Sequence, residues 1–322
     1  MTEASLSLDI AGERWAVDVP ERWAERFRTA FRHLVVDDDR EPALRITARE
    51  SPTREESAWA GKLVGRLPEV DGIAAIREGA GRAHVSRMSI ESWDAASGRG
   101  ESILLDPLYE SKYLGTNLLI NQIVWRALRR GLVPVHAAAI GNDAGFWLIP
   151  AAAGQGKSTL AAAATAAGLR FLGDDFVLLD AERLELHSLY AVLRLAPPSF
   201  RMVEEHFGKG RLDIVAERED EKLLLTPSGA DQDPCRRGGP LRGIFILDRT
   251  GTVRLGAAAT PAQALRAFAS TLRLLPSLGY PASLAFPRLG DLTRRIESRI
   301  LETGSDLGAL VRCVAEHMVR RG

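Results

Sequence analysis

The segment Phe146–Ser158, FWLIPAAAGQGKS, constrains this chain more than any other stretch. The apolar run Phe146-Trp147-Leu148-Ile149 predicts a buried strand. The alanine-rich run from about Lys157 to Ala167, stopped by Gly168, predicts a helix. Between them, Ala151–Ser158 fits the relaxed phosphate-loop pattern [AG]-x-x-x-x-G-K-[ST], in the strand–loop–helix context that such a loop requires. Glycines at such a turn let backbone N–H groups point inward around phosphate oxygens. The helix N-terminus adds the positive end of its dipole. Lys157 supplies a point charge for the β- and γ-phosphates, and the Ser158 hydroxyl is a ligand for Mg²⁺. The expected contacts to ATP are therefore Ala152, Ala153, Gly154, Gln155, Gly156, Lys157, Ser158 and Thr159. The competing reading is an ordinary strand–turn–helix capped by Ser158, which leaves a lysine in a glycine-flanked loop without a partner. Ala151 stands where the strict motif has glycine, and alanine works there only if that residue keeps a negative φ.

Two further features flank the loop. Asp174-Asp175 follows the helix in FLGDDFV, and His136 precedes the loop in VPVHA. This order of His, loop, short helix ending in Gly, and Asp-Asp resembles the catalytic domain of HPr kinase/phosphorylase. It is closer still to shorter HPr-kinase-related proteins, some of them encoded beside peptide-modification enzymes. The resemblance is good over roughly residues 130 to 180 and weak beyond. It implies an α/β P-loop kinase core of the HPr kinase and PEP carboxykinase type. It also implies roles: Asp175 as the base that takes a proton from an attacking hydroxyl, Asp174 as its orienter or a Mg²⁺ ligand, and His136 near the transferring phosphate. A serine hydroxyl is a poor nucleophile at neutral pH, so a carboxylate within hydrogen-bond reach is chemically apt. The family's second signature is absent; its nearest counterpart, Leu193-Arg194-Leu195, keeps only the arginine, and Arg242 stands where a later family arginine does. Both arginines are candidates to neutralise phosphate charge, and both read equally well as surface residues.

Other readings stay open at this point. Asp174-Asp175 also suits a turn or a helix N-cap, and His136 suits a core position on a buried strand. Phe176–Asp180 and Ile244–Asp248 each present an apolar run ending in Asp. If Asp248 is the magnesium-linked carboxylate, the chain is a P-loop ATPase or nucleotide switch with no phospho-acceptor.

Composition removes several classes. Lys plus Arg and Asp plus Glu are equal at 42 each, so no net field favours nucleic acid or an anionic membrane. Cys235 and Cys313 show no metal-ligand spacing, and both read as reduced thiols of a cytoplasmic protein. No signal-peptide pattern and no membrane-length apolar run is visible.

Around the motif, the chain reads as an N-terminal mixed α/β accessory domain, residues 1–108, and a catalytic domain, residues 109–322. A hairpin is expected around Ala11-Gly12-Glu13, a helix over Glu21–Leu34, another over Glu55–Leu67, and a strand over His84–Ile90. A long helix is expected over Tyr109–Arg130, one strand over Val133–Ile140, and one amphipathic helix over Pro261–Leu275. The expected reaction is transfer of the γ-phosphate of ATP to a hydroxyl. By resemblance the acceptor is a serine of a protein or peptide, with a small-molecule alcohol as the alternative. The resemblance also allows a homo-oligomer, although nothing in the residues identifies an interface.

Overall fold

The computed structural model describes residues 3–37, 40–50, 54–55, 74–78, 81–85, 89–94, 96–104, 119–217, 222–228, 235–277 and 280–321. The protein is mixed α/β and divides into two compact units, Met1–Arg130 with Leu274–Ala282, and Gly131–Arg273 with Ser283–Gly322.

The first unit is built on β1 (Glu3–Ile10), β2 (Glu13–Pro20), α1 (Glu21–Phe31), β3 (Leu44–Glu50), β4 (Ala74–Glu78), β5 (Gly81–Val85), β6 (Ser89–Asp94), β7 (Arg99–Leu104) and α2 (Ile120–Arg129). The sheet order is β1-β2-β3-β7-β6-β5-β4. The hairpin forms where its turn residues placed it: Ala11 and Gly12 both take positive φ, and Asp9 Oδ1 accepts the Gly12 N–H at 2.8 Å. The helical period of Trp23, Phe27 and Phe31 is the buried face of α1. The expected single strand over His84–Ile90 is instead parts of two, β5 and β6, which pair antiparallel. Of the expected helix Tyr109–Arg130, the described part begins at Ile120; most of the expected helix at Glu55–Leu67 lies outside the described residues.

The second unit contains β8 (Val133–Val135), β9 (Ala137–Asn142), β10 (Gly145–Pro150), α3 (Lys157–Ala166), β11 (Arg170–Gly173), β12 (Val177–Asp180), β13 (Glu185–Ser188), β14 (Leu193–Leu195), α4 (Pro197–Phe207), β15 (Leu212–Glu217), β16 (Leu223–Pro227), β17 (Gly238–Arg249), β18 (Arg254–Ala258), α5 (Pro261–Ala267), α6 (Ala269–Ser277), α7 (Phe286–Arg295), β19 (Ser298–Thr303) and α8 (Leu307–Arg321). The chain leaves this unit after Arg273, within α6, and returns at Ser283. A large mixed sheet runs β11-β9-β10-β17-β13-β12-β8, with β19 parallel to β17 and β18 beside β19; β14, β16 and β15 form a small second sheet.

The alanines of α3 explain its place. Small side chains let the helix approach β9, β11, β14, α4 and α8, and Leu160–Ala166 are buried throughout. Gly168 ends it with φ +95, donating to Thr165 O while Leu169 donates to Ala164 O. Beneath, Trp147 stacks on Phe245 at 4.3 Å. Gly243 permits this, because a Cβ there would lie 2.3 Å from the Trp147 ring.

Two expectations are corrected here. The apolar run Val133–Ile140 is two strands broken at His136: β8 pairs with β12, whereas β9 pairs with β10 and β11. An apolar run carries no period that would reveal such a change of partners. The helix Pro261–Leu275 is likewise two helices, divided at the fully buried Phe268, whose N–H turns back to Leu265 O at 3.1 Å.

Candidate active site

The topology brings His136 and the Asp-Asp pair together. The step from β8 to β9 passes through His136, and the step from β11 to β12 passes through Asp174, Asp175 and Phe176. Because β8 pairs with β12 and β9 with β11, these two crossings lie side by side. The His136 ring meets Phe176 edge-on at 6.3 Å, and its Nε2 is 3.7 Å from Asp175 Oδ1. At this break the His136 N–H has left the ladder, and the Thr271 hydroxyl of α6 accepts it at 2.8 Å.

The loop after β10 opens onto the same place. Ala151 is buried and is not among the positive-φ residues, so alanine fits where the strict motif has glycine. Gly154 and Gly156 take φ +81 and +91, the left-handed region that glycine enters without strain. Among the described residues, the N–H groups of Ala153, Gly154, Gly156, Lys157, Ser158 and Thr159 have no hydrogen-bond partner, and no side chain caps α3. The Ala152 N–H is taken by Gln155 Oε1 at 3.1 Å.

Lys157, 5% exposed, points into a carboxylate pair. Its Nζ donates to Asp174 Oδ1 at 2.8 Å and to Asp175 Oδ1 at 3.1 Å. Arg194, on β14, donates to Asp175 Oδ2 at 3.0 Å. Burial works against the charge on Lys157, but the two aspartates hold its pKa above the ordinary lysine value. Burial also pushes Asp175 upward, and Lys157, His136 and Arg194 outweigh it, so its carboxyl sits well below the usual range. Asp175 adopts φ +67, a left-handed conformation that aspartate tolerates better than most residues and that concentrates at functional sites. Asp174 Oδ2 is buried without a hydrogen-bond partner, as is Arg194 Nε.

These are the features to which phosphates and a divalent cation are suited. Open amides at a helix N-terminus match phosphate oxygens, and an orphaned buried carboxylate oxygen matches a cation or a proton donor. Among the described residues no group of three or more His, Cys, Asp or Glu is arranged for a metal. The set fits an ion carried in with phosphates, completed by Ser158 and an aspartate, better than a free-standing protein site.

Not every candidate residue joins this cluster. Arg242 does not: its Nε donates to Ala144 O at 2.7 Å, beside the turn that opens β10. Because β17 runs parallel to β10, a residue near the start of β17 lies at the end of β10 remote from the loop. Asp180 closes a turn, accepting the N–H groups of Glu182 and Arg183 at 3.0 and 2.9 Å. Asp248 is exposed near the end of β17, and Lys157 pairs with Asp174 and Asp175 instead. Sequence reasoning missed Thr271. Its signal was faint: a threonine in the apolar stripe Ala264, Phe268, Thr271, Leu275, all of which are buried.

No protein-family model matches the chain, and a search of curated proteins gives no match. Among solved structures, the Hpr(Ser) kinase/phosphatase from Coxiella burnetii is similar at 14% identity and TM-score 0.29, over 58% of this chain and 97% of that one. A likeness that loose carries neither fold nor activity over to this chain. No helix among the described residues is long and apolar enough to cross a membrane.

Proposed function

We propose that this chain is an ATP-dependent phosphotransferase that moves the γ-phosphate to a hydroxyl, with a serine of a protein or peptide as acceptor. The observation that carries this reading is the buried Lys157 held 2.8 and 3.1 Å from two consecutive aspartates, beside a helix N-terminus whose amides are open.

The two carboxylates differ in a way that divides the work. The Asp174 side chain is 1% exposed, whereas that of Asp175 is 18% exposed. An acceptor hydroxyl arriving from solvent reaches Asp175, which therefore suits the base. Asp174 faces inward, with one oxygen on Lys157 and the other free, which suits a metal ligand or orienter. Mg²⁺ bound with the nucleotide between Ser158 and an aspartate would screen phosphate charge. A carboxylate held far below its usual pKa is a weak base. Lys157 turning to the phosphates removes one cation from Asp175 and raises its basicity, while Arg194 keeps it oriented. His136 stands on the other side of Asp175, close enough to bear on the same reacting centre.

The test is incubation with Mg²⁺ and ATP labelled at the γ-phosphate, with and without a pool of small proteins, peptides and metabolites. Label should pass to an acceptor whose mass identifies it, and Asp175→Asn should abolish transfer while Asp248→Asn does not. Free phosphate alone, indifferent to Asp175→Asn but lost in Asp248→Asn, would replace this reading with an ATPase or switch.

A further inference from the structure

We infer that Thr271 is a positioning residue of this site, acting through His136; the inference rests on the phosphotransferase reading above.

His136 is the only residue between β8 and β9, and those strands take different partners. A backbone amide at such a break has no strand opposite it, and a buried amide without a partner is costly. Here Thr271 Oγ1 accepts the His136 N–H at 2.8 Å. Thr271 is fully buried, in the first turn of α6, directly after the division from α5 at Phe268.

The His136 peptide is thereby fixed, and with it the direction in which the imidazole leaves the main chain. The ring itself is 23% exposed, and its neighbours are Asp175, at 3.7 Å, and the edge of Phe176. Neither contact is a short hydrogen bond, so the placement of the ring depends on its anchored root. Thr271 touches no reacting atom, and Lys157, Ser158 and the loop amides lie on other elements. Loss of the hydroxyl should therefore disturb the chemical step and spare nucleotide binding.

The experiment uses the full chain, with Mg-ADP affinity by calorimetry and γ-phosphate turnover from Mg-ATP, water serving as acceptor if no other is known. Thr271→Val removes the hydroxyl at nearly constant shape, and Thr271→Ala is the second variant if valine lowers the melting temperature badly. The expected result is turnover reduced on the order of tenfold or more, with ADP affinity within about twofold of wild type. Thr271→Ser, which keeps the acceptor, should restore turnover. Unchanged turnover in an active protein overturns the inference and leaves the phosphotransferase reading intact. Parallel loss of affinity and turnover, unrelieved by serine, or failure of both valine and alanine variants to fold, assigns Thr271 to the fold alone and also overturns it. A wild type that neither binds nor turns over nucleotide overturns the reading and the inference together, and is distinct from every result above.

Discussion

Two clusters of paired charges, one in each unit, are built differently. In the first unit, Arg126 makes a two-pronged contact with Glu13 at 2.6 and 2.9 Å. Arg130 adds a longer contact to Glu13 and donates to Ala11 O. The carboxylate is matched by a planar fork, and the positive φ of Ala11 and Gly12 beside it belongs to the turn between β1 and β2. In the second unit, Lys157, Asp174, Asp175, Arg194 and His136 crowd together, but Asp174 Oδ2 and Arg194 Nε have no partner, and Asp175 takes φ +67. One network is complete, and the other keeps unused valences, with the left-handed residue itself one of the charged groups. Completeness is what a structural ion pair requires. Unmet buried hydrogen-bonding capacity is what a site awaiting a ligand shows.

Substitutions sharpen or break this contrast. The largest effect is expected from Lys157→Ala. It should abolish turnover and also destabilise the fold by about 3 kcal/mol or more, because two buried carboxylates lose their cation; chemical denaturation and labelled-ATP assays measure both. If Lys157→Ala loses stability but keeps wild-type turnover, the second cluster is as structural as the first. Next, Asp175→Asn should remove transfer while Mg-ADP still binds with an affinity within about threefold of wild type in calorimetry. Smaller is a stability effect with pH. The folded pKa of Asp175 is depressed, so its contribution is present above the unfolded aspartate value of about 3.9 and is lost as pH falls below it. Urea melts at pH 5 and pH 3 should therefore show wild type losing more stability than Asp175→Asn over that interval. Equal losses would mean that Asp175 is not held by its cations. The smallest effect is expected from Glu13→Gln. Its bridge to Arg126 is only partly buried, so it should cost about 1 kcal/mol or less and leave turnover unchanged. Reduced turnover at constant stability would show that the first cluster is not purely structural.

How much of this was legible in the sequence depended on whether a residue's role is local. Gly154, Gly156 and Lys157 act within one strand–loop–helix, so their spacing alone located the loop. Asp174-Asp175 and His136 were singled out by the family resemblance, which implied one shared site; the residues alone gave no physical reason for their meeting, which depends on strands changing partners. Val133–Ile140 gives no sign of the break at His136, because a buried strand and two short buried strands are equally apolar. Arg242 shows the converse. The family resemblance made it a candidate for phosphate charge, with a surface position as the equal alternative, and the parallel run of β17 beside β10 puts it at the far end of the strand. Thr271 was hidden because its partner is a backbone amide, which leaves no mark on composition, motif or charge pattern.

In the proposed phosphotransferase, residues 151–159 would hold nucleotide phosphate through Lys157 and the open amides of α3. Calorimetric titration of wild type and Lys157→Ala with ATP, in the presence of Mg²⁺ and again with EDTA, tests it most directly. Binding should be saturable in wild type, weaker with EDTA and lost in Lys157→Ala. Absence of binding to a folded wild type, or equal binding to both proteins, would contradict it.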